Sequence, residues 1–194
     1  MGVYILIDSK EQKRLSERVF DYIIENILSG SITPNSRVVE RKIASELGIS
    51  HVPVREALEK LEHEGWIERL PQRGARVKEF NEKEIEELFQ LRAILECGAV
   101  KIIKYPLKSD KKSLLDKAYN AFVDAYGKGD IESAVKADTL FHQAIVKCTD
   151  NKKMISVHRT TVLQLRHSFP VFFFGALDLA FGQKLRYEEL QLDS

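Results

Sequence analysis

The chain has 194 residues, 44% of them hydrophobic and 30% charged, and a formal net charge of +1. This balance is typical of a folded globular chain and excludes a disordered one. Its longest apolar stretch, around Val171–Ala180, is interrupted by Asp178 and is shorter than the roughly 18 residues that cross a membrane. We therefore expect no membrane partner.

The N-terminus and the cysteines indicate a cellular compartment. The first residues contain a short apolar run without a basic lead-in or a small-residue cleavage site, so we expect no signal peptide. Cys97 and Cys148 are too few and too far apart to form a disulfide framework. A reduced, cytoplasmic protein is the simplest expectation.

The first predicted helix contains apolar residues at helical spacing between Leu15 and Leu28. Gly30 is expected to end it, because glycine readily adopts a positive φ. A loop follows, in which Pro34 and Asn35 are the turn-forming residues.

Two further helices are predicted next, at 40–47 and from about 51 to Glu64. Gly48 separates them, and Ser50 is expected to cap the third helix. Pro53 falls in the first turn, where its missing N–H costs nothing. The buried stripe of this helix is predicted from four apolar residues: Val54, Ala57, Leu58 and Leu61.

A hairpin is predicted after the third helix. The runs WIERL and ARVKEF have β-like composition, and PQRG lies between them with a glycine for the turn. Three helices followed by a hairpin predict a winged helix-turn-helix domain over residues 1–80.

The rest of the chain, residues 81–194, has only helical patterns. Asn81 begins a run that resembles a capping box, and the next helices are expected to be capped by Ser109, Asp130 and Asn151. The fold class is therefore mainly α, with a winged helix-turn-helix followed by an all-α helical bundle.

The third helix is the candidate DNA-reading element. With its apolar stripe facing inward, His51 and Arg55 face outward, and arginine binds guanine bidentately or clamps a phosphate. Ser50 is a candidate phosphate contact, and Arg73 and Gly74 occupy the tip of the wing. Residues 1–80 carry 13 Lys/Arg and 13 Asp/Glu, so charge alone does not distinguish DNA contact from a solvated surface.

Several motifs in this half resemble the GntR family of bacterial regulators. They are IASELGIS, VPVREAL, LEHEGW and RGARV. The resemblance implies that DNA is contacted by Arg41, Ser50, Arg55, Arg73 and Gly74. The sequence departs from the family at His51, where an arginine is usual, and at Asn35, which replaces the usual glycine of a turn.

The second half resembles the FCD effector domain of the FadR-like branch of that family, through ELFQLRAILECGAV and GKGDIESAVKADTLFHQAIVKCTDNKKM. The resemblance implies a small carboxylic acid as effector and a divalent metal (Zn, Ni or Mn) held by an aspartate and three histidines. Asp138 and His142 share one helix face and match two of these ligands. A plain Asp–His hydrogen bond is the alternative.

The expected site is incomplete, because no histidine follows His167. His158 lies on an apolar stripe and either approaches the site or is an ordinary core residue. Arg92 matches a family position that faces the pocket, where it would pair with an effector carboxylate. Its alternative is a surface ion pair with Glu96. We expect a shortened effector domain with an aromatic run at 171–174 that lacks part of its cover.

These features predict a sequence-specific regulator, usually a repressor, that binds a palindromic double-stranded DNA operator as a homodimer and responds to a small organic acid. One alternative is a degenerate or truncated regulator that acts only as a dimerisation module. The other is a metal-dependent enzyme around Asp138 and His142. The sequence offers that enzyme no nucleophile–base arrangement, so no enzymatic activity is expected.

Overall fold

The computed structural model describes residues 9–70 and 74–168. The chain divides between Asn81 and Glu82 into two compact units. The predicted aromatic run at 171–174 and the wing residue Arg73 lie outside the described residues.

The first unit contains three helices and a small sheet. Its elements are α1 (Ser9–Leu28), β1 (Arg37–Val38), α2 (Glu40–Leu47), α3 (His51–His63), β2 (Ile67–Leu70) and β3 (Gly74–Val77). The strands form an antiparallel sheet in the order β1-β3-β2. Three helices and a hairpin were predicted, whereas β1 was not.

Strand β1 joins the loop after α1 to the wing. Arg37 pairs with Arg76 and Val38 pairs with Ala75. Just before the strand, Asn35 has a φ of 63°, and its backbone N–H donates to the carbonyl of Val77 at 3.0 Å. Asparagine tolerates this left-handed conformation, which explains how it occupies a position where the family usually has glycine.

The core of the first unit lies between α1 and α3, which pack against each other. All four apolar residues predicted for the α3 stripe are buried, and Val19, Ile23 and Ile27 of α1 are also buried. Burial of these side chains on one face commits the opposite face of α3 to solvent.

The turn between α2 and α3 has the predicted glycine. Gly48 adopts φ 64°, and the following N–H of Ile49 donates to the carbonyl of Ala44 at 3.0 Å. Ser50 occupies the N-cap position of α3 with extended backbone, but its side chain makes no capping hydrogen bond. The hydroxyl of Ser50 therefore does not cap the helix as expected.

The second unit is all-helical in its described part. It contains α4 (Glu82–Ile102), α5 (Ser109–Gly127), α6 (Ile131–Lys147) and α7 (Lys152–Ser168). Helices α5 and α6 pack together, and α4 packs against α6 and α7. The structure thereby confirms a mainly α chain with a winged helix-turn-helix unit and a helical unit.

Two of the three predicted caps in this unit are confirmed. Asp130 accepts from the N–H of Ser133 at 3.1 Å, and Asn151 accepts from the two N–H groups of Lys153 and Met154 at 3.1 Å. Ser109 is instead the first helical residue of α5, and Lys108 precedes it in the cap position. That prediction was wrong by one residue because an extended lysine backbone begins the helix without a side-chain cap.

None of the helices in residues 9–70 and 74–168 is both long and apolar enough to cross a membrane.

Candidate nucleic-acid interface and buried polar cluster

The exposed face of α3 presents polar side chains at the start of the helix. The side chains of His51 and Arg55 are 52% and 61% exposed. Ser50 and Val52 are exposed beside them. An α-helix fits the major groove of B-DNA, so this face has the shape and the donors for contact with base edges.

The other predicted contacts lie on neighbouring elements of the same unit. Arg41 is exposed on α2, and Gly74 begins β3 with φ 81° and no neighbouring atom within 4 Å of an added Cβ. The positive φ makes a glycine the unstrained residue at this end of the wing. DNA contact stays a prediction for all six residues: Arg41, Ser50, His51, Arg55, Arg73 and Gly74.

Glu40, the first residue of α2, contacts the exposed face of α3 that carries His51 and Arg55, which we call the reading face. Its carboxylate accepts from Nη2 of Arg55 at 3.2 Å and from Nε of the same guanidinium at 3.4 Å. Nδ1 of His51 lies 3.5 Å from the same carboxylate. The hydrogen bond to Glu40 raises the pKa of Arg55 above its ordinary value. The sequence analysis missed Glu40, because its position opposite Arg55 depends on how α2 and α3 pack.

A groove of about 470 Å³ lies beside this pair, between the helices and the wing. Its lining includes Arg37, Arg55 and Arg69 together with Glu40 and Gly74. The lining thus includes three arginines and one glutamate, and Arg69 also pairs with Glu62, with Nε 2.6 Å from Oε2. Arg37 could not be assigned to this surface from the sequence, since it lies on the unpredicted strand β1.

The second unit contains a buried polar cluster that joins three helices. Glu96 of α4 contacts His142 of α6 (Oε2 to Nδ1, 2.8 Å) and His158 of α7 (Oε1 to Nε2, 2.8 Å). Asp138 lies on the far side of His142, with Oδ1 3.4 Å from Nε2. Arg92 lies on the near side of Glu96, with Nε 3.7 Å from Oε1.

The charges in this buried polar cluster stabilise one another. Burial alone would raise the pKa of Glu96, but the hydrogen bonds from His142 and His158 outweigh it and lower the pKa to about 2. Burial alone would lower the pKa of His142, but the hydrogen bonds to Asp138 and Glu96 outweigh it and raise the pKa to about 9. Opposite charges and hydrogen bonds favour the charged forms of both groups at neutral pH.

The residues predicted for the effector site lie together around Glu96: Arg92, Asp138, His142 and His158. The sequence analysis had considered Glu96 only as a surface ion-pair partner of Arg92. The side chains of Arg92 and Glu96 are 16% and 14% exposed, so their ion pair is largely buried. His158 is buried, and its Nε2 lies 2.8 Å from Oε1 of Glu96, so it is a core residue that also reaches the cluster. No sequence motif identified Glu96 as the centre, because its partners lie 46 and 62 residues away.

A metal at Asp138 and His142 can be tested against this geometry. The 3.4 Å separation of Oδ1 and Nε2 matches the edge of a tetrahedral zinc shell with bonds of roughly 2.0–2.1 Å, and Nδ1 of His142 contacts a carboxylate as metal-bound histidines do. Such sites take three or four protein ligands, however. Across residues 9–70 and 74–168, no group of three His, Cys, Asp or Glu side chains could hold a metal. These residues alone do not fit a metal site.

The two units together define a class of protein. A winged helix-turn-helix with histidine and arginine on the open face of its third helix, followed by a separate helical unit, is the architecture of a DNA-binding transcription regulator. Residues 15–77 match the family model of bacterial regulatory proteins, gntR family, and residues 87–180 match that of the FCD domain. The chain belongs to the GntR family of transcription regulators, in the group that carries an FCD domain.

Several regulators resemble the chain in sequence. An HTH-type transcriptional regulator from the TAR-I ttuE-ttuC' intergenic region of Agrobacterium vitis is 32% identical over 118 residues, covering 59% of this chain and 69% of the relative. The gluconate operon transcriptional repressor of Bacillus subtilis is 35% identical over 131 residues, covering 64% of this chain and 51% of the repressor. The matches thus span between about half and two thirds of these relatives. Both are regulators rather than enzymes.

Solved structures show the same fold. A GntR transcriptional regulator from Rhodococcus sp. RHA1 has a TM-score of 0.75 and 24% identity, over 90% of this chain and 85% of that chain. McbR/YncC of E. coli has a TM-score of 0.65 and 24% identity, over 80% of this chain and 71% of that chain.

Proposed function

We propose that the chain is a sequence-specific transcription repressor that binds a DNA operator as a homodimer. In this proposal a small carboxylic acid controls its affinity for the operator. The observation that carries the proposal is the open face of α3, where His51 and Arg55 are exposed while the opposite face is buried against α1. The name of the Bacillus relative supports repression.

In this proposal α3 enters the major groove and Arg55 reads a guanine. Ser50 and Arg41 contact phosphates, and the wing, with Arg73 and Gly74, lies along the neighbouring minor groove. Two copies would read half-sites about 10 bp apart on one face of the duplex.

The experiment is a binding titration with duplex DNA selected from a random pool, at several salt concentrations. We expect Arg55→Ala to weaken binding to the selected sequence by roughly 10- to 100-fold, because a bidentate base contact is worth about 1–3 kcal/mol. Arg14→Ala is the matched control, since it removes an exposed arginine from α1 of the same unit.

The same titration separates the proposal from the dimerisation module. A wild-type chain that enriches no sequence from the pool, or an Arg55→Ala variant that binds as tightly as the Arg14→Ala control, would contradict operator reading. An oligomer that forms without any DNA binding would favour the module.

The effector site is proposed around Arg92. Its side chain is 16% exposed, and among the described residues its contacts are the 3.7 Å approach to Glu96 and stacking on Phe89 at 5.1 Å. A distance of 3.7 Å is too long for a hydrogen bond, so the guanidinium has donors for an incoming carboxylate. Ligand binding would then shift the population between forms with different operator affinity.

A panel of small organic acids tests this site by thermal unfolding. The panel includes gluconate, because the Bacillus relative is the repressor of a gluconate operon. A ligand at about 100 times its Kd should raise Tm by roughly 5 °C, and Arg92→Gln should abolish the shift. An acid that shifts both proteins equally would contradict the role of Arg92.

The family resemblance implied Zn²⁺, Ni²⁺ or Mn²⁺ at Asp138 and His142, but two side chains do not complete a metal site, so no step of this proposal depends on a metal. Catalysis is not part of it either.

A further inference from the structure

The carboxylate of Glu40 contacts two residues of the reading face at once. Glu40 begins α2, His51 begins α3, and Arg55 follows His51 by one helical turn on the same face. The contacts measure 3.2 and 3.4 Å to the Arg55 guanidinium and 3.5 Å to Nδ1 of His51. An acidic group therefore lies within the surface that the proposed function turns toward DNA.

The two contacts with Arg55 fix the orientation of its guanidinium. They use the Nε and Nη2 positions and leave Nη1 and the second hydrogen of Nη2 directed away from Glu40. These remaining donors form the end of the planar fork, which is the edge that matches O6 and N7 of guanine. By binding the Nε/Nη2 edge of the guanidinium, Glu40 thus leaves its Nη1/Nη2 end oriented for a bidentate contact with a base.

Folding stability does not explain why Glu40 and Arg55 form an ion pair at this position. The Arg55 side chain is 61% exposed and that of Glu40 is 29% exposed, and ion pairs of this kind contribute little to folding. A carboxylate on this surface also repels DNA phosphates and so weakens non-specific binding. Exclusion of water by bound DNA would strengthen the Glu40–Arg55 interaction, because the local dielectric constant falls.

We propose that Glu40 is a positioning residue that holds Arg55 in the orientation required to discriminate guanine, at a cost in non-specific affinity. The proposal rests on the proposed function, in which α3 enters the major groove. It assigns to Glu40 a role in selectivity rather than in affinity or folding.

The test selects duplexes from one random pool with the wild-type chain, Glu40→Gln and Arg55→Ala, and then measures binding to the enriched and to an unselected sequence. Arg55→Ala identifies the base positions whose preference depends on that residue. At those positions we expect Glu40→Gln to reduce discrimination by about 10-fold. Its affinity for unselected DNA should rise roughly twofold, because one negative charge is removed near the phosphates.

Glu46→Gln is the matched control. Glu46 is an exposed carboxylate on the same helix, and it pairs with Lys42 at 3.8 Å instead of a residue of α3. We expect this variant to keep the wild-type base preference. Thermal unfolding of both variants should lie close to the wild type, since neither carboxylate is buried.

Each failure has a separate reading. A wild-type chain that enriches nothing overturns the proposed function. A wild-type chain with a clear preference that Glu40→Gln shares in full overturns the positioning role and leaves the proposed function standing. A Glu40→Gln variant that loses specific and unselected binding together and melts earlier shows a structural role, which also overturns the proposal.

Discussion

The two units use charged residues in opposite ways. In the winged unit, Glu40 and Arg55 form an ion pair at the surface, with 29% and 61% of their side chains exposed. In the helical unit, Glu96 and His142 form a contact of the same type with 14% and 3% exposed. The exposed pair contributes little to the free energy of unfolding and can contact another molecule. Breaking the buried pair is expected to destabilise the fold, because the remaining charged group would be out of contact with water.

This comparison teaches that the same residue types have different consequences according to burial. Under the proposed function, the exposed pair would contribute to DNA binding, and its effect would be measured as base preference and salt dependence. A buried polar cluster contributes to the folded state, where its effect appears in stability and pH dependence. Four predictions test or sharpen this difference, in order of decreasing effect.

The largest effect is expected from Glu96→Ala. This change removes the carboxylate that His142 and His158 share and leaves their ring nitrogens Nδ1 and Nε2 buried without that hydrogen-bond partner, so the free energy of unfolding should fall by about 3–5 kcal/mol. Urea unfolding measures it, and Glu86→Ala, an exposed carboxylate on the same helix, is the control. A decrease in the free energy of unfolding of less than about 1 kcal/mol, which is typical of exposed ion pairs, would show that the buried polar cluster contributes no more than an exposed pair.

The pH dependence of stability should follow the buried polar cluster. The pKa of Glu96 is lowered from 4.5 to about 2, so its contribution is present above pH 4.5 and is lost as the pH falls toward 2. The pKa of His142 is raised from 6.5 to about 9, so its contribution is complete below pH 6.5 and is lost as the pH rises toward 9. Stability should therefore drop by roughly 3 kcal/mol between pH 6.5 and 9.

Urea unfolding at pH 6, 7.5 and 9 in a buffer with chelator measures this drop. His142→Gln should flatten the curve over that range, whereas His63→Gln, which changes an exposed histidine, should not. An unchanged slope in His142→Gln would assign the pH dependence to other groups.

His51→Arg should act on binding and leave folding unchanged. It restores the residue that the family usually has, and one additional phosphate contact should steepen the slope of log affinity against log salt by about 0.9. Titrations at 50–200 mM salt check this slope, with Lys42→Arg as a charge-conserving control on an exposed α2 site. A slope equal to that of the wild type would show that position 51 does not contact a phosphate.

The smallest effect is expected on metal removal. Within residues 9–70 and 74–168, no three His, Cys, Asp or Glu side chains are placed to hold a metal ion, whereas a stable site takes three or four protein ligands. Dialysis against a chelator should therefore change Tm by less than about 1 °C, whereas loss of a tightly bound ion would lower it by several degrees. One equivalent of zinc, nickel or manganese in elemental analysis of purified protein would contradict this expectation.

Local patterns in the sequence were sufficient for the helices and for the reading face. The stripe of α3 and the turn at Gly48 depend on neighbours within a few residues, and both were predicted correctly. Strand β1 was missed because two residues are too short for a period-2 pattern, and its partner strand β3 lies almost 40 residues later in the chain.

The centres of both charge clusters could not be predicted for the same physical reason. Glu40 and Arg55 come together only when α2 and α3 pack, and Glu96 meets its histidines only when α4, α6 and α7 pack. In each case the sequence identified the histidine and arginine partners by motif and spacing. The carboxylate that organises them carried no local signal, because a glutamate on a helix is most often a solvated surface residue.

Strand β1 connects the loop after α1 to the wing through a pairing of two residues. Its two residues pair with Arg76 and Ala75, so Arg37 points outward while Val38 is buried. Because side chains alternate along a strand, a slip of one residue in this pairing would move valine to the solvent side and arginine into the apolar interior. Correct pairing of only two residues therefore decides which of the two side chains the core receives.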